Sequence, residues 1–201
     1  MIAPEKLAVP LSACSKPGAV RTMDIQENGL VTREGFAEIS SEKEPVPPDP
    51  GSDLLKIVFI ERVSGRGERF VGFVRGWGQK RGAVASSLIW DASGIVAIGA
   101  DDLDLAQAIN RVIELQGGTV LALGGEIARD IPFPIGGYSS DRRIEDLTSE
   151  ASALQKAVRD LGSNLPSPRL TLETLASAAI PFIRITEKGY FRFRENDYVG
   201  I

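Results

Sequence analysis

The sequence predicts an α+β fold: a largely antiparallel sheet built from hairpins, with two or three helices packed on it. Three observations lead there. Strand-like apolar runs come in adjacent pairs, joined by turn chemistry such as Asn28-Gly29, Gly65-Arg66-Gly67, Gly124-Gly125 and Lys188-Gly189. Two longer segments repeat apolar residues at helical spacing. The alternation of strands and helices is too irregular for a doubly wound parallel sheet.

Met1 to Pro17 holds three prolines and little periodicity, and reads as an extended arm. Val20 to Ile25 and Leu30 to Ile39 read as a hairpin around Glu27-Asn28-Gly29. Ser40 to Gly51 (SSEKEPVPPDPG) has four prolines and four charged residues, so it is expected to be a stiff linker or surface loop. The chain is accordingly divided into residues 1–50 (arm, small hairpin and proline-rich linker) and a main domain over residues 51–201. Leu54 to Val63 and Arg69 to Trp77 form a second hairpin. Glycines 65 and 67 do not make a phosphate loop, because no Gly-Lys-Ser/Thr and no helix follow them.

Gly76 to Gly82 (GWGQKRG) is a glycine-rich bend in which Lys80 and Arg81 could meet an anion, although solvated turn charges explain them better. It leads to the central pair of strands, Ala83 to Ile89 and Ile95 to Ile98. Both are near-continuous apolar runs, which suits burial on both faces. The polar elbow Trp90-Asp91-Ala92-Ser93-Gly94 joins them and is the first place to look for a site. Asp101 then caps a helix whose stripe is Leu105, Ala108, Ile109, Val112 and Ile113, ending at Gln116-Gly117-Gly118. Asp101, Asp102 and Asp104 resemble a metal cluster, but capping and the helix dipole account for them.

Thr119 to Leu123 and Glu126 to Phe133 form a further hairpin. A loop, Pro134-Ile135-Gly136-Gly137, runs from it to Tyr138 and Asp141. Ile144 to Leu161 is the longest helical pattern, closed by Gly162 and by Pro166 and Pro168. Leu170 to Ala179 reads as a shorter helix capped near Thr171. Phe182 to Ile185 and Tyr190 to Phe193 close the chain as a hairpin.

The composition narrows the chemistry. The 201 residues carry no histidine, one cysteine and a net charge of −4. Without histidine, Ser-His-Asp and Cys-His mechanisms and His/Cys zinc sites are excluded. Carboxylate acid/base work, a lysine nucleophile or an oxygen-ligand Mg²⁺/Mn²⁺ site remain. No cofactor and no metal ligand set is expected. The mild acidity argues against nucleic acid as a partner. The lone Cys14 fits a reducing cytoplasm, and no run is long enough to span a bilayer. Leu11-Ser12-Ala13-Cys14 looks like a lipoprotein box, yet the apolar segment a signal peptide needs is missing before it.

Several phrases resemble one family. KRGAVASS, IGADDLDLAQAINRVIELQGG, IPFPIGGYSSD, LPSPRLTLETLA and IPFIRITEKG are similar, in order and spacing, to the C-terminal domain of adenine deaminases of the amidohydrolase superfamily. The likeness runs from about Asp53 to Tyr198, and residues 20–50 resemble the segment that joins this domain to the rest of the enzyme. The resemblance implies purine metabolism and hydrolysis of a cyclic amidine C–N bond. It places the metal site in a separate TIM barrel built from histidines and carboxylates. Where the family typically reads His-Asp-Ser-His-Asn, this chain reads Trp90-Asp91-Ala92-Ser93-Gly94, keeping only the aspartate. Trp90 is expected to fill the vacated space, or else to stack on a purine.

These readings lead to a stand-alone module that does no chemistry by itself and serves a structural or regulatory role. It would pair with a separate barrel protein or with itself, through an exposed apolar patch. Two alternatives stay open. One is a binding protein for a purine-like molecule, with Trp90, Asp91, Ser93, Lys80, Arg81, Tyr138 and Asp141 as candidate ligand residues. The other is the accessory part of an adenine deaminase acting with a barrel chain, converting adenine and water to hypoxanthine and ammonia. Met1 fits either a free-standing gene product or a cut one.

Overall fold

In the computed structural model, which describes residues 1–40 and 43–201, alternate side chains along each central strand enter different cores. Strand β3 (Leu55–Glu61) sends Ile57 and Phe59 to one side and Val58 and Ile60 to the other. This period-2 split, with both sets apolar, requires a cover on each face. The sheet that carries it has eight strands. Beside β3 these are β1 (Ala19–Ile25), β2 (Thr32–Glu38), β4 (Arg69–Arg75), β5 (Ala83–Ser86), β6 (Gly94–Gly99), β7 (Gly118–Leu123) and β8 (Glu126–Pro132). They run in the order β2-β1-β4-β3-β6-β5-β7-β8. All neighbours are antiparallel except β1 and β4, which are parallel with Thr22 opposite Phe73. The N-terminal hairpin therefore extends the same sheet.

Helix α1 (Asp102–Glu114) covers one face. Its Leu105, Ala108, Ile109 and Val112 pack on Ala83, Ala85, Ala97 and Ala122. Four alanines on the sheet let the helix approach closely. The opposite face is covered by α2 (Ile144–Asp160), α3 (Pro168–Thr174) and a small sheet of β9 (Ile183–Thr186), β10 (Gly189–Arg192) and β11 (Asp197–Val199). Leu154, Val158, Leu172, Ile183, Ile185 and Tyr190 meet Met23, Ile57, Phe59 and Val96 there. The fold is α+β, as expected, and β5 and β6 are buried along their whole length.

Polar contacts join the two sheets: the Thr32 hydroxyl on β2 donates to the Ile183 carbonyl on β9 at 2.5 Å, and Tyr190 reaches β4. The Tyr190 hydroxyl accepts from the Phe73 amide at 2.5 Å and donates to the Phe73 carbonyl at 2.7 Å. A side-chain carbon at Gly72 would lie within 2.3 Å of that hydroxyl, so glycine is required at this strand position.

Some expectations change. The first hairpin turns at Glu27-Asn28-Gly29 as expected, with the Gly29 amide on the Gln26 carbonyl at 2.8 Å, but β2 begins at Thr32 and not Leu30, because the Asn28 carboxamide accepts from the amides of Leu30 and Val31 at 3.0 Å each. Helix α3 begins at Pro168 and ends at Thr174, in place of Leu170 to Ala179. Proline at the first helical position lacks only an amide that had no partner anyway. Helix α1 passes its left-handed position to Gln116, with φ of 59°, before the glycines. Strand β11 had no counterpart in the expectations. Of the proline-rich stretch, Val46 is buried and donates its amide to Val9 at 2.8 Å. Residues 41 and 42 of that stretch lie outside the described residues.

The three acids at the start of α1 do separate work. Asp101 accepts the Asp104 amide at 2.8 Å, and Asp104 accepts the amides of Gly124 and Gly125 at 3.0 and 2.6 Å. Asp102 meets Lys56, which is fully buried on β3, at 2.7 Å through both oxygens. Lys56 also donates to the Leu7 carbonyl at 2.9 Å, tying the N-terminal arm to α1. Removing Asp102 strands a buried ammonium, whereas removing the lysine leaves a carboxylate that water can reach. Asp102→Ala should therefore cost about 3–5 kcal/mol and Lys56→Met about 1–3 kcal/mol, the cost of the unpaired Leu7 carbonyl. Urea unfolding of the two variants checks the order.

Candidate functional site at one end of the central strands

Both faces of the central strands being covered, functional groups can be presented only where strands end. Glu61 stands opposite Gly94, Ser86 opposite both Val96 and Thr119, and Gly118 opposite Pro132. This register gathers the segment after β3, the β5–β6 elbow, the α1–β7 turn and the loop after β8 at a single end of the sheet.

Backbone contact holds the loops together there. A side-chain carbon at Gly117 would lie 2.3 Å from the Gly137 Cα, so the α1–β7 turn and the 133–138 loop touch main chain to main chain. Ser87, fully buried, pins the junction. Its hydroxyl accepts from the Gly118 amide at 2.9 Å and donates to the Gly137 carbonyl at 2.7 Å. Phe133 donates its amide to the Gly117 carbonyl at 2.9 Å.

Arg62 spans the remaining gap. Its Nε donates to the Ser93 hydroxyl at 3.1 Å, Nη2 donates to the Gly136 carbonyl, and the guanidinium lies 5.1 Å from the centre of the Tyr138 ring. A carbon added at Gly137 would collide with Nη1. The Tyr138 hydroxyl in turn donates to the Ala92 carbonyl at 3.3 Å. The structure thus brings Ser93 and Tyr138 together through Arg62, a residue the sequence reasoning did not single out. The tandem Gly136-Gly137 was the available signal, since it announces a close approach to the backbone without naming what approaches.

The first half of the elbow is anchored to α3 and the segment that follows it. Asp91 accepts a hydrogen bond from the Ser177 hydroxyl, and the Trp90 amide donates to the Glu173 carbonyl at 3.4 Å. Behind them Arg184 is fully buried, donating to the carbonyls of Ile180, Leu30 and Pro181 at 2.9, 2.6 and 2.9 Å. Burial pushes its pKa down to about 10, and the charge of Asp91 works against that shift. Trp90 does not fill the space left by the family's histidine. It is 61% exposed.

The other candidates lie elsewhere. Lys80 and Arg81 precede β5, at its opposite end, where Lys80 donates to the Pro50 carbonyl at 2.8 Å and Arg81 is exposed. Asp141 is exposed beyond the loop, and its charge is felt by Arg142. Metal chemistry is not supported by the donor set. The chain has no histidine, and among the described residues no three Cys, Asp or Glu side chains gather as a metal would require. No helix among the described residues is long and apolar enough to cross a membrane.

An α+β module with a mixed eight-stranded sheet, whose central strand ends carry an arginine-clamped pair of loops, is the class this chain defines. Residues 29–197 match the model of the adenine deaminase C-terminal domain, and the chain belongs to that family. It is similar to the adenine deaminase of Archaeoglobus fulgidus, 39% identical over 90% of this chain and 31% of that protein. It is also similar to that of Cereibacter sphaeroides, 38% identical over 94% of this chain and 33% of that protein. A third relative, the adenine deaminase of Brucella melitensis, is 34% identical over 98% of this chain and 34% of that protein. The chain spans about a third of the length of the curated relatives it matches.

Glu173 gives this region a pH signature. It is buried, and desolvation raises its pKa above the ordinary 4.5, with the ion pair to Arg169 at 2.7 Å opposing the shift. A carboxyl raised in the folded state favours folding while it is protonated. That contribution is full below about pH 4.5 and is lost as pH climbs through the raised folded value. The stability of the wild type relative to Glu173→Gln should therefore fall as pH rises from 4 to 7, measured by urea unfolding. A difference that does not vary with pH contradicts the assignment.

Proposed function

We propose that this chain is a docking module of the adenine deaminase type, without catalysis of its own, which presents the clamped end of its sheet to a metal-holding barrel chain. The observation that carries the reading is the gathering of exposed Val63, Trp90, Ile135 and Tyr138 on the segments that Arg62 and the Gly117–Gly137 contact tie together. Large apolar side chains held on a rigid frame are the usual core of a protein interface, with polar groups around them. The family match over residues 29–197 supports the reading, as does a chain without histidine in a family whose named activity is deamination.

In this account the partner supplies the metal and the hydrolysis of adenine to hypoxanthine and ammonia. This chain supplies shape and a cationic rim, in a cytoplasmic setting where Cys14 stays reduced. Residues 1–50 act as the connecting segment, with their hairpin β1–β2 paired onto β4 of the domain of residues 51–201. A second copy of this chain is the competing occupant of the same face.

The expected outcomes are specific. The purified chain with Mn²⁺ should release no ammonia from adenine above the buffer rate. Mixed with the part of the Archaeoglobus fulgidus relative that it does not match, it should co-elute in size exclusion. The pair Val63→Ser and Trp90→Ser should weaken that association at least tenfold, because apolar anchors dominate such interfaces, while leaving the melting temperature unchanged. Ammonia release by the chain alone, or association untouched by the pair, would overturn the proposal. Concentration-dependent dimerisation in ultracentrifugation would give the face to a second copy.

A further inference from the structure

The eight-stranded sheet ends in two edge strands, β8 and β2, and they are built differently. β8 carries devices that keep an edge unpaired: a bulge where its register with β7 shifts, at Leu121 and Ala122, and Pro132 at its end. β2 carries neither. It holds no proline and no lysine, and it pairs with β1 residue by residue from Thr32 to Glu38 without a shift.

The hairpin fixes where the main-chain groups of β2 point. Gln26 donates its amide to the Val31 carbonyl, and Ile39 donates to the Gly18 carbonyl, both at 2.9 Å. Bonding alternates along an antiparallel ladder. Arg33, Gly35 and Ala37 therefore turn their N–H and C=O groups in to β1, and Thr32, Glu34, Phe36 and Glu38 turn theirs outward. Among the described residues nothing bonds to these outward main-chain groups. The charge of Glu34 does not guard the edge, because Arg21 and Arg192 of the same chain pair with it. A regular edge of this kind is a template for another strand.

We infer that β2 pairs with β2 of a second copy of this chain, antiparallel about a two-fold axis at Gly35, so that the sheet continues across a dimer. The side chains of the strand select both partner and register. With the axis at Gly35, Glu34 lies opposite Phe36 of the second copy and Thr32 lies opposite Glu38, which engages every outward residue. Moving the axis to residue 34 sets Glu34 against Glu34. Moving it to residue 36 sets Glu34 against Glu38, again like charges face to face. In the Gly35 register each Glu34 also arrives at two cations of the other copy, since Lys16 and Arg21 lie 3.4 and 4.9 Å from the centre of the Phe36 ring. Lys16 makes no ion pair of its own among the described residues. A strand complementary to itself fits an isologous contact and not an unrelated chain. None of the residues of the clamped end takes part, so the inference stands or falls separately from the docking reading.

Sedimentation of the full chain over a concentration series tests it, and should show a monomer–dimer equilibrium. Lys16→Glu, a change at an exposed position, sets a carboxylate against Glu34 of the other copy and should raise the dimer dissociation constant by roughly tenfold or more. Phe36→Pro removes one outward amide and should do the same. The pair Val63→Ser and Trp90→Ser should leave that constant unchanged. Amide exchange followed by NMR reads the contact in the wild type. The amides of Thr32, Glu34, Phe36 and Glu38 should be protected in the dimer and exchange on dilution, while those of Arg33, Gly35 and Ala37 stay protected throughout. A chain that is monomeric across the series, a dimer as tight in Lys16→Glu as in the wild type, or a dimer lost in the Val63→Ser and Trp90→Ser pair would each overturn the inference.

Discussion

Burial of both faces of the β3–β6–β5–β7 ladder is the constraint from which the rest of this structure follows. Strands that are apolar on each side must be covered twice, and here α1 lies on one face and α2, α3 and the small sheet on the other. Polar groups cannot occupy those faces without loss of solvation, so they are displaced to the strand ends. The two ends then differ in character. One carries Asp101, Asp102 and Asp104, each engaged with its own internal partner. The other carries exposed apolar side chains and the Arg62 clamp, which is the arrangement of a surface that meets something else.

The clamped end is rigid for reasons that can be named. Two glycines on loops twenty residues apart meet backbone to backbone, and a buried hydroxyl satisfies the polar groups their contact would otherwise leave unpaired. Arg62 then fastens the elbow to the same loop. Its guanidinium suits the task because it offers several donors in one plane and can rest on a tyrosine ring at the same time. The elbow is held from behind as well, by Ser177 on Asp91. A loop system tied at this many points presents its side chains with little entropic cost on binding.

Much of the fold was legible in the sequence, because it depends on local pattern. The runs at Ala83 to Ile89 and Ile95 to Ile98 announced doubly covered strands, and the Leu105–Ile113 stripe and the Asp101 cap announced α1 where it stands. What was missed depends on contacts distant in sequence. The parallel pairing of β1 with β4 has no local signature, and neither does Arg62, a single arginine just past a strand. Trp90 was expected to fill a space vacated by histidine, but the elbow turns it to solvent, since its neighbours anchor to Ser177 and Arg62 instead. Gln116 in a left-handed conformation could be found only once the helix end was seen.

Hydrogen exchange on the chain, alone and with the unmatched part of an adenine deaminase relative, tests the central claim most directly. The account predicts new protection confined to residues 62–63, 87–93 and 133–138, with the amides of Lys80, Arg81, Gly124 and Gly125 unchanged. Protection at those four residues, or none at the clamped end, would contradict it.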